Sequence, residues 1–356
     1  MANSQSVGLS LIVCTRNRAP FLEKLLASVE RELVDRLDLE VVVVDNGSSD
    51  ATTVVANQFA GRLPGLRILS EPKPGLSYAR NCGARGANKD YLLYVDDDAY
   101  LSEAFLDHTE VILRRFKPDL FGGPVLPYFD CLVPGWYDPR LEIRKFEEFS
   151  GFSEMGSISG GNFGIRRDVL QRLGPFDTAL GMRGNVMAFG EDREMVERYR
   201  ASTPKAEHRL YYAVELPIMH YTMPQKLDVA YQLARKYENS RAQERTFVRT
   251  GKRSLARSIL YLCGHVGLMP YQWWRVIARN GFNANGRFKA YRHAYAIAGR
   301  AHGALDLVRD LVNDKRYGDH TEHFGPAQVD MTKHLAQVRP ESDPSDRHTR
   351  SIDQRL

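Results

Sequence analysis

The apolar run Tyr91-Leu92-Leu93-Tyr94-Val95 stops abruptly in three consecutive carboxylates, Asp96-Asp97-Asp98. Five β-prone residues without a turn former predict a buried strand, which leaves the acids at its carboxyl end. In open α/β sheets ligands bind at that end. Adjacent acids repel one another and need a partner, and a hard divalent cation takes oxygen ligands and bridges to phosphate. A metal–phosphate site is therefore one reading. A solvated acidic turn, or a cap for a helix after Ser102-Glu103, is the other.

Upstream, strands and helices alternate. Leu9–Cys14 reads as a buried strand ending in Thr15-Arg16-Asn17-Arg18. Pro20 suits a helix start, and Phe21, Leu22, Leu25, Leu26, Val29 and Leu33 then share one face. A second strand, Leu39–Val44, ends in the turn and cap residues Asp45-Asn46-Gly47-Ser48-Ser49-Asp50. A third short strand (Leu66–Leu69), a Pro74-Gly75 turn and a helix over Leu76–Asn88 carrying Arg80 follow. Continuous apolar strands separated by helices predict an α/β fold, a mostly parallel sheet flanked by helices and covered on both faces. With 356 residues, 43% of them hydrophobic, the chain can bury such a core and still carry an appendage.

Beyond the acids, a helix over Ser102–Phe116 and a strand-like run over Leu120–Leu126 with a glycine kink are expected. Tyr128–Pro139 is aromatic and proline-rich, a packed surface loop or a stacking surface for an acceptor sugar. Ser159-Gly160-Gly161-Asn162-Phe163-Gly164 would let backbone approach a ligand closely. Phe189-Gly190-Glu191-Asp192 opens a helix through Arg200. A carboxylate held at that helix start could take a proton from an attacking hydroxyl, or could simply cap the helix. Arg209–Leu216 reads as a strand leading to His220, a structural histidine or one able to complete a metal shell begun by Asp98.

Four motifs in order carry a resemblance: Leu-Ile-Val-Cys-Thr-Arg-Asn-Arg, Val-Val-Val-Val-Asp-Asn-Gly-Ser-Ser-Asp, Pro-Gly-Leu-Ser-Tyr-Ala-Arg-Asn-Cys-Gly and Asp-Asp-Asp. Over residues 1–225 the chain resembles the family 2 inverting glycosyltransferases of the GT-A fold. That resemblance implies a nucleotide-sugar donor, UDP-sugars being favoured, a Mn²⁺ or Mg²⁺ ion, and hexosyl transfer with inversion to a glycan or lipid-linked acceptor, as in exopolysaccharide synthesis. It implies donor contacts from Thr15, Asn17, Arg18, Arg80 and Asp96, with Asp45 on the base and Asp97 on the ribose. It makes Asp98 and His220 metal ligands, Asp192 the base with Glu191 beside it, and Gly161 and Asn162 part of the sugar and acceptor site. Two other readings are weighed against it. A sugar nucleotidylyltransferase needs a glycine-rich phosphate loop after the first strand, yet Cys14–Pro20 holds no glycine. A non-catalytic, membrane-associated nucleotide-sugar binder would have no use for both Asp98 and Asp192.

The resemblance ends near residue 225, where the charge changes. Residues 226–317 hold 18 Lys and Arg against 6 Asp and Glu, a net +12, while the remainder is mildly acidic. Lys226–Val248 reads as a polar helix. Ser258–Trp274 is 17 residues without Asp, Glu, Lys or Arg, bordered by Arg253, Arg257, Arg275 and Arg279. That is short for a spanning helix, so an interfacial helix or re-entrant hairpin docked on anionic lipid is expected, with Trp273 and Trp274 in the headgroup layer. No aromatics are interleaved with the cations as nucleic-acid binding would require. Residues 318–356 have a tail composition. Cys14, Cys82, Cys131 and Cys263 are scattered, giving neither a zinc pair nor a disulfide framework, and the N-terminus lacks a basic n-region. The expected location is cytoplasmic, peripheral at the inner face of the plasma membrane.

Overall fold

The computed structural model describes residues 6–143, 147–153, 158–184, 186–280 and 284–316; the predicted tail lies outside them. Its strands are β1 Val7–Thr15, β2 Leu37–Asp45, β3 Arg67–Ser70, β4 Tyr91–Asp96, β5 Ala99–Leu101, β6 Leu120–Gly122, β7 Val125–Tyr128, β8 Gly151–Phe152, β9 Asn162–Arg166, β10 Leu210–Tyr212 and β11 Ile218–Tyr221. Its helices are α1 Ala19–Arg31, α2 Thr52–Gln58, α3 Leu76–Gly86, α4 Phe105–Phe116, α5 Arg167–Leu173, α6 Glu191–Ser202, α7 Val229–Arg249, α8 Leu255–Gly267, α9 Met269–Asn280 and α10 Ala284–Arg316.

Among the described residues, eight strands form one sheet in the order β3-β2-β1-β4-β9-β6-β10-β8. The β3-β2-β1-β4 half is parallel throughout. Its strands are apolar on both faces because both are covered. Leu9, Leu11, Val13, Val41, Val43, Leu93 and Val95 pack against α1 and α4, while Ile12, Val42, Val44, Leu92 and Tyr94 pack beside α3, α5 and α6. Alternate side chains point to opposite faces of a strand, so one apolar run fills two cores.

The glycine-rich run, expected only to let backbone approach a ligand, also forms part of the large sheet. Asn162–Arg166 is a strand, inserted antiparallel between β4 and β6. Gly164 is needed there because any side chain would collide with the Phe121 ring on β6. The Leu120–Leu126 run is two strands, β6 in the large sheet and β7 in a three-stranded sheet of order β5-β11-β7. That small sheet was not anticipated, its strands being only three or four residues long.

α7 and α10 pack closely along their length. Side chains at Gly299 and Gly303 would strike the Tyr237 and Arg241 carbonyls, and Arg241 Nε donates to Asp306 Oδ2 at 2.7 Å. The uncharged stretch is two helices, α8 and α9, broken at Leu268, and no described helix is long and apolar enough to cross a membrane. Trp273 stacks edge-on against Tyr291 of α10, whereas Trp274 is 65% exposed, so only one of the pair faces outward.

Candidate active site

Register places the acids. Thr15 pairs with Asp45 and Cys14 with Asp96, so β1, β2 and β4 end at one edge of the sheet. The chain turns at Asp97-Asp98 into β5, and β11 returns beside it with His220 opposite Ala99. Tyr221 N donates to the Asp98 carbonyl at 2.8 Å, which clamps β11 to the acidic turn. As a result His220 Nε2 lies 3.1 Å from Asp98 Oδ1 and 3.5 Å from Asp96 Oδ2. Residues 122 positions apart in sequence meet only through the small sheet.

One ligand atom from each of Asp96, Asp98 and His220 lies within 4.8 Å of the others. Two carboxylate oxygens and an imidazole nitrogen at that spacing can surround one divalent ion. Asp98 and His220 are both buried, and a buried carboxylate needs a cationic partner. Arg18 supplies one, with Nη1 at 3.1 Å from Asp98 Oδ2. Loss of hydration and the neighbouring Asp98 charge push the Asp97 pKa up to about 7, with Arg18 opposing.

Asn17 sits at φ 53 and clips two loops together: its N–H donates to Ser48 Oγ and its Oδ1 accepts from Ser49 N. Asp45 accepts from Ser48 N at 2.8 Å and from Thr53 Oγ1 at 2.6 Å. It therefore caps the following loop, and Asn46, not Asp45, lines the cavity at this point. Sequence reading overlooked Asn46, whose amide donates to the Glu71 and Lys73 carbonyls and accepts from Gly75 N, holding the loop before α3 in place.

The opposite side is built on Gly160 and the start of α6. Asp192 Oδ2 accepts from Gly160 N at 2.8 Å, and its Oδ1 accepts from Arg193 N at 2.7 Å. Arg80 is not a surface residue, and it lines the cavity. It is buried, donating to Glu191 Oε1 at 2.7 Å and to the Gly160 carbonyl at 2.9 Å, with Asp96 Oδ1 at 4.0 Å. Burial and the adjacent Asp192 raise the Glu191 pKa while Arg80 lowers it. A Cβ on Gly160 would sit 2.7 Å from Arg80 Nη2 and 3.2 Å from Asp192 Cβ, so glycine here lets the two side chains approach without displacement. Gly161 accepts from Asp96 N through its carbonyl and lines the cavity. Asn162 does not: strand alternation turns it away, and its Nδ2 donates to the Leu216 carbonyl at 2.7 Å.

Apart from Asp45 and Asn162, these candidate residues surround one cavity of about 1070 Å³. Thr15, Arg18, Asp96, Asp97, Asp98 and His220 line the sheet side, and Gly160, Glu191 and Asp192 the α6 side. One face of α7 closes it, residues 232, 235, 236, 239, 240 and 243 falling at helical spacing, with Arg292 of α10 beside them. Arg235 is paired with buried Glu142. Burial alone would raise the Glu142 pKa, but Arg235, the Tyr137 hydroxyl and Lys226 hold it down at about 2.

Residues 10–174 match the family model described as Glycosyl transferase family 2. Over those residues the chain carries a glycosyltransferase family 2 domain. Glycosyltransferase AglE of Haloferax volcanii is 29% identical over 185 residues, 50% of this chain and 59% of that protein. The succinoglycan biosynthesis protein ExoM of Rhizobium meliloti is 25% identical over 196 residues, 54% of this chain and 60% of that protein. The matches thus span less than two thirds of these relatives. Among solved structures, the mannosyltransferase PcManGT from Pyrobaculum calidifontis, in complex with GDP-Man and Mn²⁺, is similar with TM-score 0.55 and 18% identity, over 84% of this chain and 87% of that one. That likeness concerns the fold, which is the GT-A arrangement of this glycosyltransferase family.

Proposed function

We propose that this glycosyltransferase moves a hexosyl group from a nucleotide sugar to a glycan or lipid-linked acceptor, with inversion at the anomeric carbon, in polysaccharide or glycoconjugate synthesis. The observation that carries the reading is the single cavity holding both the Asp96–Asp98–His220 group and, on another wall, Asp192. A bound divalent ion supplies charge neutralisation for the diphosphate leaving group. The carboxylate and imidazole donors fit Mn²⁺ better than Mg²⁺, since imidazole is a softer ligand than Mg²⁺ prefers. Asp192 accepts the proton as the acceptor oxygen bonds to the anomeric carbon and the bond from that carbon to the diphosphate breaks. Its hydrogen bonds to Gly160 N and Arg193 N fix both oxygens, a positioning worth more to the rate than any gain in basicity. Glu191 is occupied by Arg80 and positions Asp192, whereas Thr15, Asn17, Arg18 and Asp97 shape the donor end. Inversion follows from base and leaving group acting on opposite faces of the sugar.

A volume of about 1070 Å³ exceeds the roughly 300–1,000 Å³ of ordinary small-molecule pockets, leaving room for donor and acceptor together. The decisive experiment is a panel of UDP-, GDP- and dTDP-sugars assayed for hydrolysis and transfer with and without Mn²⁺. Turnover of one donor that disappears in EDTA is expected; equal turnover in EDTA would remove the metal assignment, and no turnover of any donor would remove the transfer reading.

We also read residues 226–317 as a helical extension meeting an anionic membrane surface. Ile259, Leu260, Leu268, Tyr271 and Trp274 are exposed on α8, α9 and their junction, near Arg257, Arg275 and Arg279. Exposed apolar groups among cations suit an interfacial location. Co-sedimentation should be stronger with anionic than with neutral liposomes and partly salt-resistant; equal pelleting on both would sink the electrostatic part.

A further inference from the structure

The cations of the helical wall need an explanation that neither the donor site nor a membrane surface supplies, because they face inward. Lys236 and Arg292 line the cavity with Arg193 and Arg235. Arg235 has Glu142, but no carboxylate among the described residues lies within ion-pair distance of Lys236 or Arg193. Arg292 keeps a buried Nε without a hydrogen-bond partner among those residues. Burial and then the charges of Arg292, Arg300 and Arg193 depress the Lys236 pKa to about 8, and burial followed by Arg235 lowers that of Arg292 against the opposing charges of Glu142 and Asp138. Like charges gathered in a partly desolvated cavity destabilise the chain unless an anion joins them.

The cluster starts at Arg193, the residue after the base. Whatever reaches Asp192 with a hydroxyl is the acceptor, so an anion held by Arg193, Lys236 and Arg292 belongs to the acceptor and not to the donor. Several cations around one cavity suit a multiply charged group; a single carboxylate would leave most of them unmatched, and guanidinium groups match phosphate oxygens in geometry as well as charge. We infer that the α7–α10 wall is a phosphate-binding subsite for the acceptor, so that the enzyme takes an acceptor bearing a phosphate or diphosphate near its reacting sugar. This rests on the transfer reading above.

The test uses the full chain in EDTA, where divalent ions cannot recruit phosphate to the acidic side, with inorganic pyrophosphate as the calorimetric probe. Wild type should bind it. Lys236→Gln and Arg292→Gln should each weaken binding tenfold or more, and Lys236→Arg should restore it. Lys236→Gln should also melt at a higher temperature than wild type without the probe, because a repulsive charge is gone, and gain less from adding it. Octyl diphosphate displacing pyrophosphate better than glucose 1-phosphate supports the site and assigns the phosphate to a lipid carrier; the reverse order supports it and assigns the phosphate to a glycan. Three results would overturn the inference: no pyrophosphate binding by an enzyme that turns over its donor, displacement by glucuronate as effective as by the phosphates, or an equal loss of Mn²⁺-dependent nucleotide affinity in both Gln variants. Pyrophosphate binding by a chain that turns over no nucleotide sugar would uphold the anion site and count against the transfer reading alone.

Discussion

On the sheet side of the cavity, Asp96, Asp98 and His220 are placed by backbone pairing: β4 on β1, then β11 on β5. On the helix side, Arg235, Lys236 and Arg292 are placed by how α7 and α10 pack, through Gly299, Gly303 and the Arg241–Asp306 contact. The first wall is acidic and rigid and suits a cation. The second is basic, stands on side chains and a few ion pairs, and suits an anion. Ladders fix atoms to within a fraction of an ångström, whereas helix faces can roll. Changes on the acidic wall should therefore act on chemistry, and those on the basic wall first on stability and acceptor binding.

The sharpest test of that division is Asp98→Ala. It removes a metal ligand from a wall the backbone still holds, so turnover should fall roughly 10³-fold or more while the melting temperature changes little. Unchanged Mn²⁺-dependent nucleotide affinity in this variant would show that the acidic turn is only structural.

Glu142→Gln makes the converse change at the base of the cationic wall. A folded pKa of about 2 against 4.5 means the ionised pair contributes stability above pH 4.5, and that contribution fades as pH falls towards 2. About 3 kcal/mol should be lost at pH 7, and the difference between variant and wild type should shrink on acidification. A pH-independent difference in denaturation midpoint would mean that the pair does not hold α7.

Asp192→Asn keeps one hydrogen-bond acceptor at the α6 start, turns the other into an NH2 donor, and cannot take a proton. Transfer should fall by roughly 10² with donor binding and melting temperature nearly intact. If this variant stays active, another group takes the proton, and the α6 wall loses its catalytic role.

Gly160→Ala should have the smallest effect and joins the two comparisons. Its methyl would press on Arg80 and Asp192, costing about 1–3 kcal/mol and reducing transfer more than donor affinity. Equal losses in kcal/mol for transfer and donor binding would indicate a general collapse of the cavity, not displacement of the base.

By itself the sequence determined the parallel half of the sheet and the edge where its acids gather. A strand buried on both faces needs a continuous apolar run, and such runs in Leu9–Cys14, Leu39–Val44 and Tyr91–Val95 are local signals. The placing of Asp192 at a helix start was legible for the same reason. Tertiary structure decided what depends on pairing across long separations. Asn162 reads as a ligand in a glycine-rich run, but β9 inserts between β4 and β6, and strand alternation turns that side chain to Leu216. Asp45 and Asn46 are neighbours, and only the turn after β2 decides which lines the cavity. The excess of cations after residue 225 was visible as composition, and Lys226–Val248 was legible as a polar helix. Which way that face points is set by the docking of α7 on α6 and α10, and a side chain's partners, unlike its charge, are not written in its own stretch of chain.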